Sequence, residues 1–534
     1  MAVASVGEAE SIAEVAPTDG AARVEREFGD SADDSTLRDL KGKTARAALV
    51  ATCGQGANFF LRIGSMVVLA RLLAPADFGL VGMATACTGF LELFRDAGLS
   101  MATIQRASIS HAQISTLFWL NVAVGGLLAA LCAGTAPLVV AFYHEPRLLW
   151  VTVVLGMSFV CSGAAAQHRA ILQRHMRFAA LTTIDIVSLL AGIALAVGMA
   201  LAGKGYWALV GLPVCQSIVG VLGVWIADRW IPGLPRRGIG LQSMLRYGGT
   251  VTLNNVIVYI AYNADKVLLG RFWGAETLGI YGRAYQFINL PTTLLNTTVG
   301  QVAFPALSRL QSDPERLRSY FLKGYSLFLS LVMPITMGCA LFSDDIILVI
   351  LGPKWSQAAP VFRWLAPTIV AFALINPFGW FMLATGRATR SLKIALLIAP
   401  VVILGYLAGL SHGSTGVAIG FSIAMILLVV PAIWWAKRGT LINTGDILGA
   451  VIRPSVSILI GTGATSALWF FIHSLNSPLV RLIAANGVLF GVYAIVLWFF
   501  MGQKAVYLGL LRDIGIWPFA GQRRTREGIE PGNV

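Results

Sequence analysis

The chain has 534 residues, 56% of them hydrophobic and only 12% charged, with a mean hydropathy of +0.73. A soluble domain carries about a quarter charged residues, so a water-borne globular core is excluded, and apolar runs of roughly 20 residues, the length that spans a bilayer, recur from Ala47 to Met501. The net charge of +14 does not point to nucleic acid, because the Lys and Arg residues lie in short hinges between apolar runs instead of forming one patch or stripe; membrane topology accounts for them.

The first forty residues hold ten acids against three arginines and have no apolar h-region. They predict a disordered acidic cytoplasmic tail over 1–45 and not a signal peptide. Six spans follow, at 47–70, 78–97, 115–141, 148–166, 180–202 and 206–227, forming an N-terminal lobe over 46–228. After a linker at 229–245 come six more, at 246–270, 277–307, 320–342, 358–384, 391–410 and 414–436, forming a second lobe over 246–438. Pro367, Asn376 and Pro377 predict a kink within 358–384. Two additional helices, 450–472 and 479–501, and a basic cytoplasmic tail over 502–534 complete the chain. The fold class is an all-α polytopic membrane protein of about fourteen transmembrane helices: two pseudo-symmetric six-helix lobes around a central cleft, plus two C-terminal helices.

Lys and Arg are retained on the cytoplasmic side of a membrane protein. With the N-terminus inside, 29 of the 40 fall in cytoplasmic segments and 8 outside, with three inside spans. Both termini are therefore expected in the cytoplasm. A repeat at an offset of 200 residues supports the two lobes: Arg71–Ala84 aligns with Arg271–Ala284, with Arg71/Arg271, Gly79/Gly279, Gly82/Gly282 and Ala84/Ala284 identical. Both copies would face the same side, which gives parallel halves related by an axis along the membrane normal.

Polar groups inside a span are costly, so their distribution carries functional information. Gln55, Asn58 and Arg62 share one helical face, as do Thr85, Thr88, Glu92 and Arg95, with Asp96 adjacent. Asn255, Tyr259, Tyr262 and Lys266 repeat the pattern beside Asn254 and Asp265, and so do Gln286, Asn289, Thr293 and Asn296, with Arg283 one turn above Gln286. These are the first two helices of each lobe; spans three to six and eleven to fourteen hold far less. Interhelical hydrogen bonding is the plainer account of any single Asn or Thr. Four coordinated stripes and the mid-span Arg62, about 24 Å along a helix starting near Arg46, fit better with a polar cleft between the halves. Snorkelling is the plain alternative for Arg62, Glu92, Arg95 and Asp96 could form a helix-end cluster or gate, and Asp265 and Lys266 read as ordinary interfacial residues near outer water.

Chemistry-bearing motifs are absent from the sequence. The six histidines fall in predicted loops or span ends, the six cysteines sit singly in apolar runs as small core residues, and there is no Walker-type glycine loop. Outer loops are short. No metal or cofactor is expected, and the chain does not read as an enzyme.

The stretch Ala70–Ala84, then Phe94–Ser100 and Ile104–Arg106, resembles the polysaccharide transporter family of the multidrug/oligosaccharidyl-lipid/polysaccharide exporter superfamily, specifically its Wzx-type flippases. Asn263–Gly270, Tyr281–Ala284 and Phe304–Ser308 fit as well, and coverage runs from about residue 45 to 500. The resemblance implies a V-shaped pair of lobes with inward-open and outward-open states and a cationic cavity in the bacterial inner membrane. It implies that arginines, with Arg62 the best match and Arg283 and Arg95 next, engage the pyrophosphate of an undecaprenyl-linked oligosaccharide bound for exopolysaccharide or lipopolysaccharide. Guanidinium suits that task, since it is always charged and pairs bidentately with phosphate. Expected partners are the lipid-linked oligosaccharide, membrane lipids and the pathway's polymerase and co-polymerase; a coupling ion, H+ or Na+, is left open by Glu92 and Asp96, which lack family counterparts. The alternatives are a drug/cation antiporter of the same superfamily, disfavoured because cleft arginine outnumbers deep acid, and a membrane polymerase or glycosyltransferase.

Overall fold

The computed structural model describes residues 34–95, 103, 109–235 and 242–502. Asp96, the Ile104–Arg106 motif, most of Phe94–Ser100, linker residues 236–241, the basic tail from 503 and the acidic tail up to 33 lie outside the described residues, as do the side chains of Asn254 and Asn255.

Helix α1 (Asp34–Leu72) begins well before the apolar run. Residues 34–45, expected as tail, are helical because Leu, Lys, Arg and Ala, all strong helix formers, carry the helix beyond the span. Helix α2 (Pro75–Glu92) has Pro at its first position, where no N–H is needed, and the Asp77 carboxylate accepts from Ala74 N at 3.1 Å. Ser110 and Gln113 form a reciprocal capping box that starts α3 (His111–Tyr143). Next come α4 (Leu148–Arg174), α5 (Phe178–Leu201) and α6 (Trp207–Asp228). Between α3 and α4, a hydrogen bond from Arg147 holds the Glu145 carboxyl below the usual carboxylate range.

Helix α7 (Gln242–Arg309) turns back on itself at Gly274, whose φ of 80° only glycine adopts readily. Its arms, 242–273 and 275–309, match the two predicted spans. Then follow α8 (Pro314–Leu341), capped by Asp313, and a helix the sequence did not suggest, α9 (Ser343–Ile350), in a connection expected to be plain loop. The predicted span 358–384 consists of α10 (Ala358–Leu365) and α11 (Pro367–Ala384), which meet where Pro367 removes a donor and disturbs the preceding turn. Helices α12 (Ala388–Gly409), α13 (Gly413–Lys437), α14 (Thr444–Ala467), the short α15 (Trp469–His473) and α16 (Pro478–Ile495), extended by a π-turn, finish the described chain.

Among the described residues nine helical stretches, one of them α12 and α13 together, are long and apolar enough to cross a membrane. Apart from the short α9 and α15, the helices missing from that set are α1, α2 and the arms of α7, the ones carrying polar stripes. Helices α3 and α4, α5 and α6, α4 and α6, and α1 and α5 pack together; α7 packs on α10, α11 and α12, and α13 on α11 and α12. Helices α14 and α16 pack on each other and on α8. At the α12/α13 crossing Gly405 and Gly409 press against Gly420 and Gly416 so closely that an added methyl would overlap the opposing carbonyl oxygens, the small-residue packing that membrane helices use in place of hydrophobic drive.

The inter-helix connections meet in two sets. At one end Arg71 donates to Val349 O (2.6 Å), Trp273 to Leu410 O (2.7 Å), and Arg147 lies over Tyr206. At the other, Arg174 donates to Thr103 O (2.8 Å), Arg177 to Ala227 O (2.8 Å), and Arg318 pairs with Asp446.

Two sequence readings need correction. His168 is not at a span end: α4 runs on to Arg174, and the imidazole is fully buried against Phe118, Trp225 and Trp230, with Nδ1 3.2 Å from Asp228 Oδ2. Asp265 is not beside outer water: it is fully buried, accepting from Tyr281 OH at 2.8 Å, because α7's second arm folds back over the first and brings Tyr281 onto it.

Candidate functional site: a polar cavity beside a closed seam

A cavity of about 490 Å³ lies among α4, α5, α6 and the end of α2. Helix α4 lines it with Ser162, Arg169 and Gln173, at spacings near whole turns, while Ser188 enters from α5, Gln216 from α6 and Arg95 from just beyond α2. Arg169 donates to Asp185 Oδ1 at 2.7 Å and Arg95 to Glu92 Oε1 at 2.8 Å, and all four side chains keep at least a third of their surface exposed. Each of these contacts uses one of a guanidinium's five N–H donors, so a braced fork can still bind a second anion. Hydroxyls and amides between the two arginines can pair with sugar hydroxyls. Such a lining can pair with an anionic group and with hydroxyls.

At the end of α2 away from the cavity, α2 meets the second arm of α7. A methyl added at Gly79 would overlap Ala275 O, and one at Gly279 would overlap Pro75 O. Residues 75 and 79 thus touch 275 and 279 reciprocally, as a two-fold axis between repeats requires. Tyr259 OH donates to Ala86 O at 2.9 Å, Trp355 Nε1 donates to Ala70 O at 2.8 Å, and Phe78 packs edge-on against Trp355. Backbone meets backbone here, so the seam is shut at this end.

The sequence-predicted residues do not converge on one point. Among the described side chains Arg95 alone of them lines the cavity, with Glu92 bracing it. Arg283 lies in the seam, 3.9 Å above the Phe78 ring, and donates to Gln286. On α1, Gln55 and Arg62 are exposed, and Asn58 donates to Gly54 O at 3.3 Å within its own helix; among the described residues no acid pairs with Arg62. Tyr262 packs on Phe372, Asn289 is exposed, and Asn296 keeps a buried Oδ1 with no partner among the described residues. Asn255 lies on the first arm of α7, its side chain outside the described residues.

A family model described as polysaccharide biosynthesis protein matches residues 68–360, more than half of the chain. The chain belongs to that family. Among its relatives, the teichuronic acid biosynthesis protein TuaB of Bacillus subtilis (strain 168) is 32% identical, over 61% of this chain and 68% of the relative. The lipopolysaccharide biosynthesis protein WzxC of Escherichia coli (strain K12) is 28% identical over 69% and 75% respectively. In solved structures the fold is similar to that of the lipid II flippase MurJ in its inward closed conformation, with a TM-score of 0.68 at 14% identity, covering 87% of this chain and 99% of that one. The resemblance read from Ala70–Ala84 is borne out, and this polysaccharide biosynthesis protein has the polytopic all-helical fold expected of it.

What the sequence reading missed in this family member is Arg169, Gln173, Ser188 and Gln216. In the sequence Arg169 lies just beyond the span ending at 166, among the 29 cytoplasmic charges. The usable signal was the α4 periodicity Ser162, Arg169, Gln173, which a span ending at 166 cuts in two.

Proposed function

We propose that this polysaccharide biosynthesis protein translocates polyprenyl-diphosphate-linked oligosaccharide repeat units across the bacterial inner membrane by alternating access. The observation that carries the reading is the cavity with two carboxylate-braced arginines among hydroxyls and amides. Family membership and relatives named for two different surface polymers support a shared lipid carrier more than a shared sugar. The two arginines also weigh against cationic cargo.

In this reading the chain forms two six-helix lobes, 46–228 and 246–438, with helices 450–501 appended, about fourteen crossings in all and both termini in the cytoplasm. The segregation of connections into two sets supports that parity. Arg95 and Arg169 take the diphosphate from the cytoplasmic side while Gln173, Ser188 and Gln216 pair with the first sugars. The lipid tail stays in the bilayer. As the seam opens, Arg283 leaves the Phe78 ring and becomes the next guanidinium along the route, and Arg62 faces the same water.

The test is transport of a fluorescent lipid-linked oligosaccharide in proteoliposomes. A charge-assisted hydrogen bond contributes about 1.5–3 kcal/mol, so Arg95→Ala and Arg169→Ala should each lower apparent affinity by about 10- to 100-fold, with Arg147→Ala, on the opposite end of α4, unaffected. Wild-type transport by both cavity variants would refute the assignment.

A further inference from the structure

A second cavity, about 630 Å³, lies between the start of α8, the end of α11 and the connection from α13 to α14. Its floor is apolar: Leu317, Phe381 and Ile442 are buried, and Leu441 is half exposed at the rim. Its rim is basic. Arg387 donates to Arg438 O at 3.3 Å and to Gly439 O at 2.7 Å, and Arg390 also donates to Arg438 O. Lys437 donates to Thr444 Oγ1, and Arg438 stacks 3.5 Å above Trp434, an indole half exposed on the helix flank.

None of these four cations is paired with a carboxylate among the described residues. The acids nearby are committed or turned out: Asp446 takes a bidentate pair from Arg318, Asp313 pairs with Arg316 at 3.2 Å while capping α8, and Glu315 is on the exposed first turn of α8. Retention of charge on one side of a membrane needs neither a cavity nor guanidiniums tied to carbonyl oxygens. Carbonyl anchoring fixes a guanidinium without neutralising it, so Arg387 keeps its charge at the pocket wall. A basic rim over an apolar floor, flanked by an interfacial tryptophan, is complementary to a phosphate ester carrying acyl chains.

We propose that this pocket seats the headgroup of an anionic phospholipid, with Arg387 and Arg390 holding the phosphate and Leu441 and Trp434 bordering the first methylenes. The site is remote from the polar cavity and independent of the cargo assigned to it. It would tie the α11–α12 turn to the α13–α14 connection through a lipid.

Full-length protein, delipidated in detergent, is titrated calorimetrically with dihexanoylphosphatidylglycerol, dihexanoylphosphatidylcholine and inorganic phosphate. Saturable binding of the glycerol lipid, at least about tenfold tighter than the choline lipid or free phosphate, is expected, because the quaternary ammonium of choline is repelled by the surrounding unpaired cations and free phosphate has no chains to place on the apolar floor. Arg387→Gln with Arg390→Gln should weaken it by about tenfold or more. If that pair fails to fold, Arg387→Lys with Arg390→Lys keeps the charge, loses the fork and should bind more weakly than the wild type. Equal binding of the two lipids, equal binding of free phosphate, or wild-type affinity in a folded variant would overturn the proposal.

Discussion

Asp265 has no exposed surface, yet its carboxylate is served: Tyr281 OH and the Lys266 backbone N–H each donate at 2.8 Å, while the Lys266 ammonium engages Asn263 Oδ1 at 2.7 Å. Removing the acceptor leaves the buried Tyr281 hydroxyl without its partner, a cost of about 1–3 kcal/mol. Asp265→Ala should therefore lower the melting temperature in detergent, and Asp265→Asn, which keeps an acceptor oxygen, should lower it less. Equal losses would show that the tyrosine bond contributes nothing. Residues of this kind were only half legible in the sequence. The stripes on α1, α2 and α7 announced themselves by period, but a buried acid next to a lysine looks like an interfacial pair until the chain folds back at Gly274. The cavity was harder still, because α5 gives it one polar residue, Ser188, and α6 only the adjacent Gln216 and Ser217, which leaves no periodicity to detect.

At the level of elements the informative pair is α2 and the second arm of α7. The 200-residue repeat was readable from four identities, and glycine-rich helix starts could have produced some of them by chance. The contact between copies could not be read, because a sequence states which residues are alike and not which ones meet. Structure adds that Gly79 and Gly279 face each other's backbone with no room for a methyl. Gly79→Ala should force the helices apart and shift the protein away from the closed seam, since the opposing atom is a backbone oxygen that cannot swing aside. Spin labels at the exposed repeat-related positions Leu72 and Phe272 would read this as a longer distance population. An unchanged distribution in a variant of normal stability would mean the seam yields locally instead.

For the whole molecule, the issue is which end faces which compartment. The basic excess predicts that the connections bearing Arg174, Arg318 and Arg387 lie in the cytoplasm and those bearing Arg71, Lys204 and Lys354 outside. Independent of charge, hydrogen bonds join 71 to 349 and 273 to 410 at one end, and 174 to 103 and 318 to 446 at the other. This grouping supports the proposed parity, since a single miscounted crossing would invert every later helix. Since the native cysteines are all free and Cys53 is exposed, the test uses a cysteine-free background. There, Lys204→Cys and Ser411→Cys should react with a membrane-impermeant maleimide in intact cells, whereas Thr440→Cys should react only after permeabilisation. Thr440 borders the lipid pocket and Lys204 lies on the seam side, so the same labels fix the leaflet in which each site works. Labelling of Thr440→Cys from outside would invert the direction of transport proposed here, while leaving the cavity, the seam and their chemistry as they stand.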